Sequence, residues 1–158
     1  MRNFLIRREN GGVAIAGDSA WVLLDTSKRR PIRPDSFFDY FPLYGKPEND
    51  PLTEKVQPVP EGYEARRFIV PYTHMDMNGH VNNARYTEWF LNCYSMEHHK
   101  RHRVSSFRIN FLSAAEADSQ VTILQNNDEG IDGAENRFDA LIDGKPVCRA
   151  GITWEKRI

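Results

Sequence analysis

The chain has 158 residues, a formal net charge of -1 and an apolar content of 40%, enough for one ordinary domain with a sizeable core. No basic excess is available to neutralise phosphates, so nucleic acid is not an expected partner. No apolar run approaches the roughly 20 residues that a bilayer span requires, and the charged opening MRNFLIRREN has no signal-peptide core. A soluble, cytoplasmic protein is expected.

Residues 1–25 read as a hairpin, because RNFLIRRE and VAIAGDSAWVLL are strand-like runs separated by Asn10-Gly11-Gly12, a strong turn signal. From Thr26 to Pro60 the prolines Pro31, Pro34, Pro42, Pro47, Pro51 and Pro58 precede Pro60, a density that predicts an interdomain linker lying over the surface. Within it FFDYFPLY, Phe37 to Tyr44, is too apolar for a free tether and is expected to pack on a domain.

Residues 61–158 give the order strand, loop, helix and then several strands. EARRFIVPYT leads into the loop, and FRINFL alternates Phe107, Ile109 and Phe111 against Arg108 and Asn110 as a half-buried strand does. SQVTILQN, NRFDALID and KPVCRAGITWEK follow, with Asp143-Gly144 as a short-hairpin signal. One long helix against an antiparallel sheet is an α+β layout. The helix is predicted from Asn83, with apolar positions Tyr86, Trp89, Phe90, Cys93 and Met96 on one stripe and Arg85, Glu88, Asn92 and Ser95 off it. Tyr86 and Trp89 are expected in the core. Cys93 and Cys148 have no metal spacing and are expected to be free buried thiols.

The run Asp76 to Tyr86, DMNGHVNNARY, is where chemistry is expected. An Asn pair before an apolar-periodic run is a helix start, and a helix start presents unpaired N–H groups with partial positive charge that can polarise a carbonyl. The N–H groups near Val81, Asn82 and Asn83 are candidate oxyanion donors, and Gly79 permits a tight turn and close approach. His80 is a candidate base or donor. Asp76 can orient His80 or a water, or cap the turn, and Asn78 can position water or hold the loop by an Asx-type bond. The spacing of His74, Asp76 and His80 matches no common zinc pattern, so no metal and no cofactor are expected. The basic run HHKRHR, His98 to Arg103, suits a solvated helix end; its rival reading is a dock for an acidic partner.

YTHMDMNGHVNNARYTEWF resembles the signature of hotdog-fold thioesterases, especially the acyl-acyl-carrier-protein thioesterases of plants and bacteria. SAWVLLDTSKRRPIRP, Ser19 to Pro34, resembles the segment that closes the first of that family's two hotdog domains. The resemblance implies a sheet wrapped around the helix in residues 61–158, a remnant hairpin of a first hotdog domain in 1–25, and most of that first domain missing. It implies release of a free fatty acid from acyl-acyl-carrier-protein without cofactor or metal, with Asp76, Asn78 and His80 as the catalytic residues and Asn82 and Asn83 as capping and loop support. One departure stands out: Ala114 and Ala115 occupy the place of the family's catalytic Glu, leaving Glu116 as a substitute acid if the strand end bulges. Hydrolysis of acyl-CoA and a catalytically inactive acyl-binding module remain as alternatives. With one hotdog incomplete, exposed sheet edge and apolar surface predict a homodimer.

Overall fold

The structure is a computed structural model describing residues 2–25, 27, 28, 30–32, 55–60, 62–126 and 133–157. The chain divides into two units, residues 1–54 and 55–158.

In the first unit, strands β1 (Arg2–Arg7) and β2 (Val13–Ser19) pair antiparallel, from Arg2 opposite Ser19 to Arg7 opposite Val13. The connection turns where the sequence predicts: the Arg8 N–H donates to the Gly12 carbonyl at 2.8 Å, and the Asn10 side chain accepts from the Gly12 N–H at 3.1 Å. A second hairpin joins β3 (Leu23–Asp25) to β4 (Arg30–Ile32). Its second strand falls inside the stretch 26–60 that the sequence reads as an interdomain linker. The Asp25 carboxylate accepts from the N–H groups of Ser27 (2.9 Å) and Lys28 (3.0 Å) and from the Ser27 hydroxyl (2.6 Å), a local turn built by an Asx side chain. Pro31 fits because an edge strand can spare a donor. The aromatic run 37–44 lies outside the described residues.

In the second unit, β5 (Tyr63–Ile69), β6 (His102–Phe111), β7 (Gln120–Gln125), β8 (Glu135–Ile142) and β9 (Lys145–Lys156) form one antiparallel sheet in the order β5-β7-β8-β9-β6. The β8–β9 turn carries Asp143 at φ 50° and Gly144 at φ 72°, the two positive angles that a tight primed hairpin turn needs. One face of the sheet holds Val121, Ile123, Phe138, Ala140, Cys148, Ala150, Ile152 and Trp154, all buried. Each large apolar side chain so buried contributes about 1.5–3 kcal/mol.

Helix α1 (Asn83–Leu91) lays Tyr86, Trp89 and Phe90 onto that face. Phe90 meets Phe138 at 5.4 Å between ring centroids, and Trp89 meets Phe68 edge-on at 5.0 Å. The helical layer is interrupted rather than continuous. At Asn92 the α1 carbonyl end is held by the Arg66 guanidinium (2.7 Å), and the Ser95 side chain caps a second helix, α2 (Met96–Arg101), by accepting from the His98 N–H at 3.1 Å. The break resets the stripe, so Met96, expected inward, is 73% exposed, and Tyr94 and His98 take the buried places. Cys93 sits in the break, half-buried, and Cys148 lies buried in β9; both are free thiols.

Residues 55–60, read from sequence as linker, go with this unit. Val56 is buried and its N–H donates to the Asn110 side chain at 2.6 Å, while the Val59 N–H reaches the Asp139 carboxylate at 3.3 Å and Arg137 donates to the Pro58 carbonyl at 3.4 Å. The segment is thereby tied to β6 and β8.

Candidate active site

The turn between β5 and α1 begins with a 3-10 turn, Tyr72–His74, and closes on itself. Met75 bridges Val81, the Asp76 N–H donates to the His80 carbonyl at 2.8 Å, and the Asn82 N–H donates to the His74 carbonyl at 2.9 Å. Gly79 holds φ at 74° at the tip, a conformation in which a side chain would be strained. Inside the loop the Asp76 carboxylate accepts from the N–H of Asn78 (2.8 Å) and of His80 (3.3 Å), and the Asn78 side-chain amide faces its second oxygen at 3.4 Å. The Asn78 backbone N–H, the His80 N–H, the Asn78 side chain and the nearby imidazole hold the Asp76 carboxyl below its usual range, outweighing some desolvation. Of the two roles open to Asp76, the structure shows the frame: its oxygens are engaged by the turn itself.

Sequence places the helix start at the Asn pair, and the structure resolves it. Asn82 is the N-cap, its side chain accepting from the Ala84 N–H at 2.9 Å, and Asn83 is the first helical residue. Three N–H groups were candidate oxyanion donors, and two are already engaged: Val81 donates to the Ala115 carbonyl at 2.9 Å and Asn82 to His74. Among the described residues only the Asn83 N–H of the three has no partner. It lies at the positive end of α1. The His80 side chain is exposed and takes no hydrogen bond among the described residues.

The Val81 to Ala115 bond brings the segment after β6 against the turn. Past Phe111 the N–H groups of Leu112 (2.9 Å) and Ser113 (3.1 Å) both point to the Val147 carbonyl, the two-against-one pattern of a bulge. Ala115 is buried and offers the turn its carbonyl; its backbone also faces the Tyr86 phenol, which burial, reinforced by Cys148, pushes up to about 12 against the Ala115 hydrogen bond. Glu116 follows on the surface, and its carboxylate has no hydrogen bond or ion pair among the described residues. The strand end is irregular as a substitute acid would require, yet no contact joins Glu116 to Asp76 or His80.

His74 carries a contact that sequence reading missed: its Nδ1 accepts from the Trp89 indole N–H at 3.2 Å. The partners are fifteen positions apart and share no local pattern. Among the described residues no three His, Cys, Asp or Glu side chains gather as a metal-holding group. The basic run is not a solvated end throughout. His98 is buried between Tyr94 (4.7 Å), His102 (4.3 Å) and Trp154 (4.5 Å), while Arg101 pairs with Glu97 and Arg103 with Glu155. Burial raises the Cys93 thiol to about 11 against the opposing Arg66 charge and drives Cys148 up as well, so neither is a ready thiolate.

A five-stranded antiparallel sheet laid over a capped helix, with the polar turn at the helix start, is the hotdog fold. Solved structures share it. An acyl-ACP thioesterase from Bacteroides thetaiotaomicron VPI-5482 superposes with TM-score 0.76 at 22% identity over 97% of this chain and 61% of that one. The 12:0-ACP thioesterase from Umbellularia californica gives 0.74 at 20% over 98% and 62%, and a hypothetical protein from Aquifex aeolicus gives 0.52 at 13% over 59% and 96%. At these identities the likeness shows the fold alone. The chain spans about three fifths of the length of the first two. No curated protein sequence matches it. Residues 59–156 match the family described as the acyl-ACP thioesterase C-terminal domain, and the chain belongs to that family.

Proposed function

We propose that the chain hydrolyses acyl thioesters, taking acyl-acyl-carrier-protein and releasing a free fatty acid, at the turn Asp76 to Asn83. The observation that carries this reading is the turn's division of labour. Asp76 frames the loop, the His80 imidazole is exposed, and at the start of a capped helix the Asn83 N–H, alone of the three candidate donors, has no partner among the described residues. The thioester carbonyl oxygen accepts from the Asn83 N–H, where the helix end stabilises the charge that develops. His80 takes a proton from water as the water oxygen bonds to the carbonyl carbon; the C–S bond then breaks, and the proton returns to the departing thiolate. Asn78, fixed by Asp76, borders the water's approach.

With Ala114 and Ala115 where the family carries its acid, His80 works without a carboxylate partner, and turnover is slow. A catalytically inactive acyl-binding module is the second reading, favoured by Ala115 being buried and contributing only backbone. Acyl-CoA is the rival substrate. The edge strands β5 and β6, with Ile69, Val104 and Phe111 exposed, support a homodimer; sedimentation as a monomer at micromolar concentration would overturn it.

The deciding experiment is thiol release from a panel of acyl-acyl-carrier-protein and acyl-CoA thioesters, with His80→Ala alongside. Turnover that the substitution abolishes supports the hydrolase, and the preferred carrier names the substrate. Equal signals from folded wild type and variant support the inactive module.

A further inference from the structure

His74 lies outside the set of residues so far given a chemical part, yet it touches both ends of the turn and the core beneath it. Its N–H closes the 3-10 turn onto the Pro71 carbonyl at 3.0 Å. Its carbonyl receives the Asn82 N–H at 2.9 Å, fastening the helix cap back to the start of the loop. The next residue, Met75, bridges Val81. The ring then reaches across to Trp89, whose indole nitrogen lies 3.2 Å from Nδ1. Indole nitrogen is only a donor, so the Nδ1 facing it must present a lone pair, which places the ring proton of the neutral imidazole on Nε2.

Trp89 is itself packed in the core. It is buried, with Phe68 at 5.0 Å and Tyr86 at 4.6 Å between ring centroids. A bond from such a side chain transmits the position of α1's packed face to the residue where the loop leaves and returns. The Asp76 frame is local to residues 76–80; the returning stem is held by the Val81 N–H on the Ala115 carbonyl and by the Asn82 N–H on that of His74. Asn82 caps the first turn of the helix, and the His74 to Trp89 bond is the side-chain tie that reaches from the outgoing stem to the packed face of α1. We infer that His74 is a positioning residue: through Trp89 it fixes where the turn holds His80 relative to the Asn83 N–H. The inference rests on the reading of that turn as the catalytic centre, and geometry of this kind is worth much in rate, since a displacement of about 1 Å can cost about a hundredfold.

The test uses the full chain in four forms: wild type, His74→Leu, His74→Asn and Trp89→Phe. Asn keeps an acceptor at the place of Nδ1; Leu removes it; Phe removes the donor and keeps an aromatic ring in the core. Amide hydrogen exchange is read residue by residue, and kcat and KM are read on the acyl thioester that wild type prefers. In His74→Leu and in Trp89→Phe, exchange at Asp76, Val81 and Asn82 rises by about tenfold while β7, β8 and β9 stay protected, and kcat falls about tenfold with KM nearly unchanged. His74→Asn restores both, and the double variant His74→Leu/Trp89→Phe is no worse than either single one. Unchanged exchange in the turn, a uniform loss across the sheet, or failure of Asn to rescue overturns the inference. Should wild type release no thiol while the exchange pattern follows as described, the tie stands and the hydrolase reading falls.

Discussion

Two histidine-bearing segments meet β6 at its opposite ends and solve opposite problems. Beyond its C-terminal end, the turn Asp76 to Asn83 bonds most of its backbone and buries Val81: Asp76 satisfies two loop N–H groups, Ala115 and His74 satisfy two more, and the Asn78 and His80 side chains are left to solvent. Around its N-terminal end, His98 is drawn into an aromatic cluster with Tyr94, His102 and Trp154, so its run supplies one core ring beside the exposed charges of Lys100, Arg101 and Arg103. Imidazole serves both settings because it is flat enough to stack and polar enough to face water. At the turn most backbone N–H groups have partners and the polar side chains stay outward; at the helix break, Tyr94 and His98 turn inward and fill the core.

Damage at the two ends reads out differently. Trp154→Ala removes the ring on which Tyr94 and His98 pack, and is expected to cost about 3–5 kcal/mol of stability in chemical denaturation; a loss within 0.5 kcal/mol, roughly that of a surface substitution, would show that the stack holds nothing together. His80→Ala should leave stability within about 0.5 kcal/mol of wild type and lower thioester turnover by about a hundredfold or more. A variant that unfolds instead would move His80 to the structural side of the comparison. Asn82→Ala falls between: the lost cap costs about 1 kcal/mol, and the frayed first turn of α1 lowers turnover as well, which melting and kinetics on one preparation can separate from a purely structural loss.

The smallest effect is a titration. The Asp76 carboxyl is held below its ordinary value of 3.8 by the Asn78 and His80 N–H groups and the Asn78 amide, so its contribution is fully present above the unfolded value and is lost as pH falls through the lower folded one. A carboxyl-carbon chemical-shift titration should therefore show Asp76 ionised at pH 3.8 with the Asn78 amide still protected. A midpoint at or above 3.8 would mean that the frame does not form in solution.

Much of the second unit is legible residue by residue. Alternation in FRINFL and the following runs marks the strands, Asp143-Gly144 marks the hairpin, and the Asn pair marks the helix start, each to within a few positions. Other elements mislead for physical reasons. Helical periodicity continues through Cys93 to Met96, and only the capping of α2 by Ser95 and the grip of Arg66 on the Asn92 carbonyl break it. A high density of prolines signals linker, but Asp25 can still close a turn and pair Leu23–Asp25 with Arg30–Ile32. Gln125 and Asn136 are fully buried on strands whose alternation says core and whose chemistry says surface.

Chain neighbours alone account for the local grammar of the candidate site: an acid two residues before an amide, a glycine at the tip, an imidazole and a capping Asn, all within one turn. Tertiary structure alone decided which of those groups remain available. Ala115 takes the Val81 N–H, His74 takes that of Asn82, and Trp89 takes the Nδ1 of His74. These partners lie 34, 8 and 15 positions away along the chain. No periodicity encodes contacts made only after the sheet and helix have packed, and it is those contacts that leave Asn83, of the three candidate donors, without a partner among the described residues.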